Sequence, residues 1–232
     1  MINGFYAAKS GVKVFQSSLD ITANNIANTN TEGYKAQTAS FTDLMYTSAQ
    51  GADFLVGNGA KLSATDLNTA QGGLSPDGER SVAVEGEGFF AIEGAQGNTE
   101  YTRAGGFALS AEGNGIYLVT PDGGYVLDAN NRRITVTGGD IQAAIHQAGL
   151  FTFPNPDALT ALGDSRYAQT NASGQAVRDN ASQIRESALE LSNVDLTLEM
   201  THMMMAQRGV QFNLRMLQTA DELEQVVNNL RT

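Results

Sequence analysis

These 232 residues are expected to fold as an α+β protein in which long N- and C-terminal helices pack as a coiled coil and a small all-β domain loops out between them. An apolar stripe at helical spacing at each end of the chain carries half of that expectation. The other half rests on a middle built of short alternating segments, many of them separated by Asp-Gly, Gly-Asn or Asn-Asn, the residues of tight β turns. The divisions that follow are 1–45 for the N-terminal helix and the polar motif after it, 46–75 for a connector with a hairpin, 76–185 for the β domain and 186–232 for the C-terminal helix.

At the N-terminus Ile2, Phe5, Ala8, Val12, Phe15, Leu19, Ala23 and Ile26 recur at three- and four-residue steps. That spacing predicts a helix over residues 3–28, roughly 40 Å long. Gly11 costs such a helix about 1 kcal/mol relative to Ala, so its presence points to close approach by a partner helix. The stripe then runs into Asn24, Asn25, Asn28 and Asn30 and stops at Gly33. Asn competes with the backbone for hydrogen bonds inside a helix, whereas Asn and Gly suit left-handed C-terminal positions and turns. A buried amide left unpaired costs on the order of 1 to 3 kcal/mol, so amides this close together suggest a specific docking surface.

From Thr42 to Gly73 the pattern breaks up; Lys61–Leu67 alternates like a short strand before a turn at Gln71-Gly72-Gly73. Strands are then expected at Ser81–Glu85, Gly88–Ile92, Glu100–Arg103, Phe107–Ser110, Ile116–Val119, Tyr125–Leu127, Arg133–Val136 and Leu150–Phe153. Ser192 and Asp195, at capping-box-like spacing, open the last helix, about 39 residues and roughly 60 Å long. Its stripe is Met203, Ala206, Val210, Leu214, Leu217, Ala220, Leu223, Val227 and Leu230. A small β domain cannot cover a stripe of that length, so the terminal helices should pack on each other and, in an assembly, on neighbouring subunits. Val210, Leu214, Leu217, Leu223 and Val227 are the expected seam, each worth roughly 1.5 to 3 kcal/mol when buried.

Charge and composition narrow the function. The net charge of −11 divides as zero over residues 1–50, −7 over 51–185 and −4 over 186–232, with no basic stripe. Nucleic acid and anionic membranes both call for clustered Lys and Arg, and neither is expected as a partner. No apolar run approaches 18 residues and the start lacks the pattern of a cleavable signal peptide, so no membrane insertion is expected. The absence of Cys excludes disulfides, thiol catalysis and thiolate metal sites.

Catalytic constellations are weak. His146 and His202 are the only histidines, and neither has a nucleophile and orienting group nearby in sequence. His202 follows Glu199 by three residues, a spacing that suits a surface or packing pair. Gly86-Glu87-Gly88 follows a strand, but Phe89-Phe90 replaces the rest of a phosphate loop. Asp128, Asn130 and Arg132 begin like a calcium loop without its Gly or closing Glu. Met203–Met205 could form a pliable binding face, although core packing is the expected role. No cofactor and no metal are expected; a carboxylate pair for glycan cleavage stays open among 25 acids without any pair standing out.

Several stretches carry a resemblance. ANNIANTNTEGYK at 23–35, followed by Phe41 and Leu44, resembles the N-terminal signature of the bacterial flagellar rod and hook axial proteins. VAVEGEGFFAI with YTRAGGFALSAEG resembles their strand and hairpin sequences, FPNPDAL the segment leading back to the terminal helix, and SNVDLTLEM their C-terminal signature. Within that family the chain looks most like the distal rod type, because hook proteins usually carry a larger outer region than residues 76–185 provide. The segment after Asp43-Leu44-Met45-Tyr46 is shorter here than is usual for that type. The resemblance implies a discontinuous terminal domain made from both chain ends and self-association into a hollow helical shaft. It also implies partners among other flagellar rod and hook proteins, and passage through the flagellar export apparatus on an uncleaved signal to the basal body. Leu19, Asn24, Asn25, Ala27, Asn28, Gly33, Tyr34 and Phe41 would then fix the N-terminal docking geometry. A hook or hook-associated protein, a chaperone-binding module and a peptidoglycan-cutting enzyme are the alternatives.

Overall fold

The computed structural model describes residues 2–48, 55–78, 81–94, 97–112, 115–136 and 141–230. Part of the expected connector, residues 49–54, lies outside the described residues. In chain order the elements begin with α1 (Ile2–Ala27), β1 (Gln37–Asp43), β2 (Tyr46–Ser48), β3 (Leu55–Gly57), β4 (Ala60–Leu67) and β5 (Leu74–Pro76). There follow β6 (Val82–Glu85), β7 (Phe89–Glu93), β8 (Thr99–Thr102), β9 (Ala108–Glu112), β10 (Gly115–Val119), β11 (Tyr125–Val126) and the short helix α2 (Ile141–Ile145). The chain ends with β12 (Leu150–Thr152), β13 (Thr160–Gly163), β14 (Arg166–Ala168), β15 (Val177–Arg178), β16 (Gln183–Glu186), β17 (Ala188–Glu190) and α3 (Leu196–Leu230). The protein is thus mixed α+β, with a helix at each end and a β-rich middle.

Two compact units divide these elements. The first comprises Met1–Ala27, Gln37–Asp66 and Asp195–Thr232; the second comprises Asn28–Ala36 and Leu67–Val194.

In the first unit α1 and α3 pack together, accompanied by two two-stranded ladders, β1 with β4 and β2 with β3. The apolar stripes account for both helices, and α1 starts and stops one residue before its predicted limits. At the head of α3 the cap is Asp195 alone: its Oδ1 accepts the N–H groups of Thr197 at 2.9 Å and Leu198 at 3.2 Å. Ser192 instead accepts the N–H of Val194 at 3.3 Å, so the expected capping box does not form. A capping box needs Glu or Gln three residues after its cap, and Leu198 occupies that place.

The second unit holds a nine-stranded antiparallel sheet with β7 at its centre. One edge of β7 pairs with β8; the other meets β12 through Phe89 and Phe90 and β11 through Ile92 and Glu93. This is why Phe89-Phe90-Ala91-Ile92 reads as an unbroken apolar run: alternate side chains enter separate cores on the two faces of the strand. Phe90 and Ile92 join Val82, Val84, Leu118 and Val126, while Phe89 and Ala91 join Tyr101, Phe151, Phe153 and Tyr167. The unit is not purely β, since α2 contributes the buried Ala144 and Ile145 to the first of these cores. Arg133–Val136, expected as a strand, forms only isolated bridges, Leu127 to Arg133 and Tyr117 to Thr135. It is nevertheless held in place, with Ile134 N–H donating to Val126 O at 3.1 Å and Val136 N–H to Ile116 O at 2.7 Å.

Candidate functional site

The sequence motifs converge on two places, one in each unit. In the first, three contacts set the register of the helix pair: Asn25 meets Glu199, Phe15 meets Gly209 and Gly11 meets Asn213. Moving ten residues down α1, then four more, moves the same numbers of residues up α3, so the helices run antiparallel without slippage. The helices come closest at the two glycines. A Cβ on Gly11 would lie 2.6 Å from Asn213 Oδ1, and one on Gly209 would lie 2.6 Å from the Phe15 ring. The close approach anticipated at Gly11 is therefore present.

Asn25 is the buried amide of the polar motif. Its Nδ2 donates to Gln37 O at 2.8 Å and to Glu199 Oε1 at 2.9 Å, and its Oδ1 accepts the Gln37 N–H at 2.9 Å. The side chain thus behaves as a strand partner for one residue of β1 while reaching α3 with its remaining hydrogen. Leu19 is half-buried on α1, whereas Asn24 and Ala27 are exposed there and Phe41 is exposed on β1.

On α3 the covered face runs through Met203, Ala206, Val210, Asn213, Leu217 and Ala220. Of the expected seam, Val210 and Leu217 lie on this face; Leu214, Leu223 and Val227 do not. The register brings the start of α1 opposite Ala220–Glu222, so α3 outruns its partner by about two turns, and every residue from Asp221 to Leu230 is exposed. Met204 and Met205 are exposed as well, contrary to the core role expected for the methionines. Only one face of α3 meets α1, and Ala206, not the methionines after Met203, turns into it.

In the second unit the motif continues through Asn28, whose Oδ1 accepts the Thr31 hydroxyl at 3.1 Å, to Gly33, which has a φ of 62° and donates its N–H to Glu190 O at 2.8 Å. A side chain at that φ is strained, and the backbone of Arg103 and Ala104 fills the space a Cβ would take. Tyr34 is half-buried and its carbonyl accepts the Asn193 N–H at 3.4 Å. Asn193 also accepts the Ala36 N–H at 2.7 Å and donates to Asn68 O at 2.7 Å and Ala70 O at 2.9 Å.

Beneath these contacts lies an ion cluster that spacing along the chain does not announce. Lys35 Nζ is 2.7 Å from Glu190 Oε1 and Arg103 Nη1 is 3.1 Å from Glu190 Oε2, with none of the three residues more than 1% exposed. Gly72 N–H adds a third bond to the carboxylate at 2.9 Å, and Arg103 lies over the Phe89 ring, 4.8 Å from its centre. Burial pulls the Lys35 ammonium below its ordinary pKa, with Glu190 opposing that pull. Burial likewise pushes up the Tyr167 phenol, whose oxygen accepts the Lys35 N–H at 3.2 Å. Neither Lys35, which follows NTNTEGY, nor Arg103, which follows NTEYT, sits in a stretch that hints at this; their partner lies 155 positions beyond Lys35.

Comparison with known proteins bears on these same segments. The family model described as "Flagella basal body rod protein" matches residues 5–35. "Flagellar hook protein FlgE/F/G D1 domain" matches 83–153, and "Flagellar basal body rod FlgEFG protein C-terminal" matches 185–230. The chain is 38% identical over 258 aligned positions to the flagellar basal-body rod protein FlgG of Agrobacterium fabrum, covering 95% of this chain and 96% of the relative. The chain belongs to the flagellar basal-body rod FlgEFG family. FlgG of Bacillus subtilis is 34% identical with complete coverage of both chains, and FlgF of Caulobacter vibrioides is 32% identical over 96% of this chain and 95% of its own. The Bacillus subtilis alignment extends over 267 positions against 232 residues here, so that relative carries residues this rod-family chain lacks.

As a member of the FlgEFG family the protein is a structural component of the flagellar basal-body rod and not an enzyme. His146 Nε2 is 2.5 Å from Glu186 Oε1, and His202 Nδ1 is 3.8 Å from Glu199 Oε2. Among the described residues there is no cluster of His, Asp and Glu suited to a metal ion, and no helix is long and apolar enough to cross a membrane.

Proposed function

We propose that copies of this rod-family chain stack helically through their terminal helices into the hollow drive shaft, transmitting torque from motor to hook. α1 and α3 act as a coiled coil inside the shaft, and residues 76–185 form the outer domain joined through the connector at 46–75. The single observation carrying this reading is the uncovered apolar surface of α3, including Leu214, Leu223, Val227 and Leu230. Burying each such side chain is worth roughly 1.5 to 3 kcal/mol, a gain unavailable to a lone chain. A neighbour that covers this surface without using its own copy of it makes a head-to-tail contact, the kind that generates open helices.

In this reading Leu19, Asn24, Ala27, Asn28, Tyr34 and Phe41 shape the docking geometry around the first helix, while Asn25 and Gly33 hold the motif in form from within the chain. The partners are further copies of the chain, other rod and hook proteins, and the export apparatus through which it leaves the cell. Its place is the distal rod.

An epitope inserted at the Gly97-Asn98 turn, located by immunogold electron microscopy of purified hook-basal bodies, tests this. Label along the distal rod is expected. Label on the hook would overturn the position within the family, and absence from basal bodies of a motile strain that expresses the tagged protein would overturn the shaft role itself.

A further inference from the structure

The Glu190 carboxylate gathers donors from three separate parts of the second unit. Lys35 Nζ and Gly72 N–H meet Oε1 at 2.7 and 2.9 Å, and Arg103 Nη1 meets Oε2 at 3.1 Å. The cations are anchored further, Lys35 Nζ to Ala70 O at 2.8 Å and Arg103 Nη2 to Gly86 O at 2.9 Å. Two cations thus share one carboxylate, all of them shut away from water. Desolvating an ion is tolerable only when its partner is present, so Lys35 and Arg103 cannot both be buried before the strand bearing Glu190 arrives.

We propose that Glu190 is a completion latch: the incoming segment at 33–36 takes up its native place only when β17, near the far end of the chain, has docked. The Gly33-Tyr34-Lys35 part of the N-terminal signature is then presented only by molecules that have folded through residue 190. An incomplete chain keeps Lys35 and Arg103 in water, with the signature unformed. The latch concerns the order of folding within one chain and does not depend on how copies assemble.

Two amides report on it without bonding to the latch strand. Lys35 N–H donates to Tyr167 Oη at 3.2 Å and Asn68 N–H to Ala36 O at 2.8 Å, whereas Leu191 N–H, donating to Gly73 O at 2.8 Å, marks docking of the C-terminal strand. In pulse-labelled hydrogen exchange during refolding of the full chain, Lys35 and Asn68 should gain protection in the same phase as Leu191. Protection of the first two in an earlier phase would overturn the latch. As a second measurement, Glu190→Gln should speed exchange at Lys35 and Asn68 roughly a hundredfold or more, and the charge-free K35M/R103M/E190M chain should restore protection. Should that chain exchange as fast as Glu190→Gln, or Glu190→Gln exchange like the native chain, the charges are not the cause and the proposal fails.

Discussion

Asn25 Nδ2 lies 2.9 Å from Glu199 Oε1, joining residues 174 positions apart in sequence within one buried contact. The same amide satisfies both backbone groups of Gln37, so one side chain ties α1, β1 and α3 together. Asn25→Ala should therefore destabilise the first unit by about 1 to 3 kcal/mol, because the partners it leaves are themselves polar and partly or wholly buried. Denaturant unfolding followed by helical circular dichroism gives the loss, and faster exchange of the Gln37 amide should accompany it.

The glycine pair of the helix interface separates two effects of opposite sign. Replacing a helical Gly by Ala gains about 1 kcal/mol of propensity. At Gly11 the added methyl meets the end of a flexible Asn213 side chain, which can swing away at the expense of its bond to Gly209 O, so Gly11→Ala should be near neutral. At Gly209 the methyl meets the Phe15 ring, and overpacking of about 1 to 3 kcal/mol should outweigh the gain. Thermal melts of the two variants should order Gly11→Ala above Gly209→Ala.

Leu223→Asp together with Val227→Asp should leave the free chain unchanged within about 0.5 kcal/mol, since both positions are exposed. In the shaft those carboxylates would be buried without partners, so polymerisation and motility should be lost. Unfolding curves and electron microscopy of basal bodies check the two halves separately.

Glu93 supplies a dependence on acid. Its bidentate bond from Arg133, at 2.6 and 3.0 Å, holds its pKa below the ordinary 4.5. A carboxylate with a depressed folded pKa contributes stability that is present above its unfolded value and is lost as the pH falls through the folded one. Arg133→Met should raise the Glu93 midpoint back towards 4.5 and flatten the stability profile below that pH. Carboxyl chemical shifts followed through an acid titration read the midpoint directly.

Period explains which features could be read in advance. The terminal helices show because a long stripe at 3.6 residues repeats many times, and the β7 run shows because a strand buried on both faces is apolar throughout. Asn25 and Gly33 stand out because their residue types are costly unless a turn or buried partner requires them. Arg103, Glu190 and Asn193 look ordinary, since their roles come from partners that only the tertiary fold brings near. Ser192 misled for a related reason: a capping pattern at this spacing says nothing of competition from Asp195, one turn later.

The two uncovered turns at the end of α3 bear on the growth of a filament. Under head-to-tail stacking, each arriving copy would cover the overhang of the one before it and expose an identical overhang of its own. The unburied surface is then a fixed penalty per filament, independent of length. Short oligomers carry that penalty over few subunits and long shafts over many, so elongation is favoured over starting anew. The same overhang leaves the two tips of a growing shaft chemically unlike, and so gives elongation a direction.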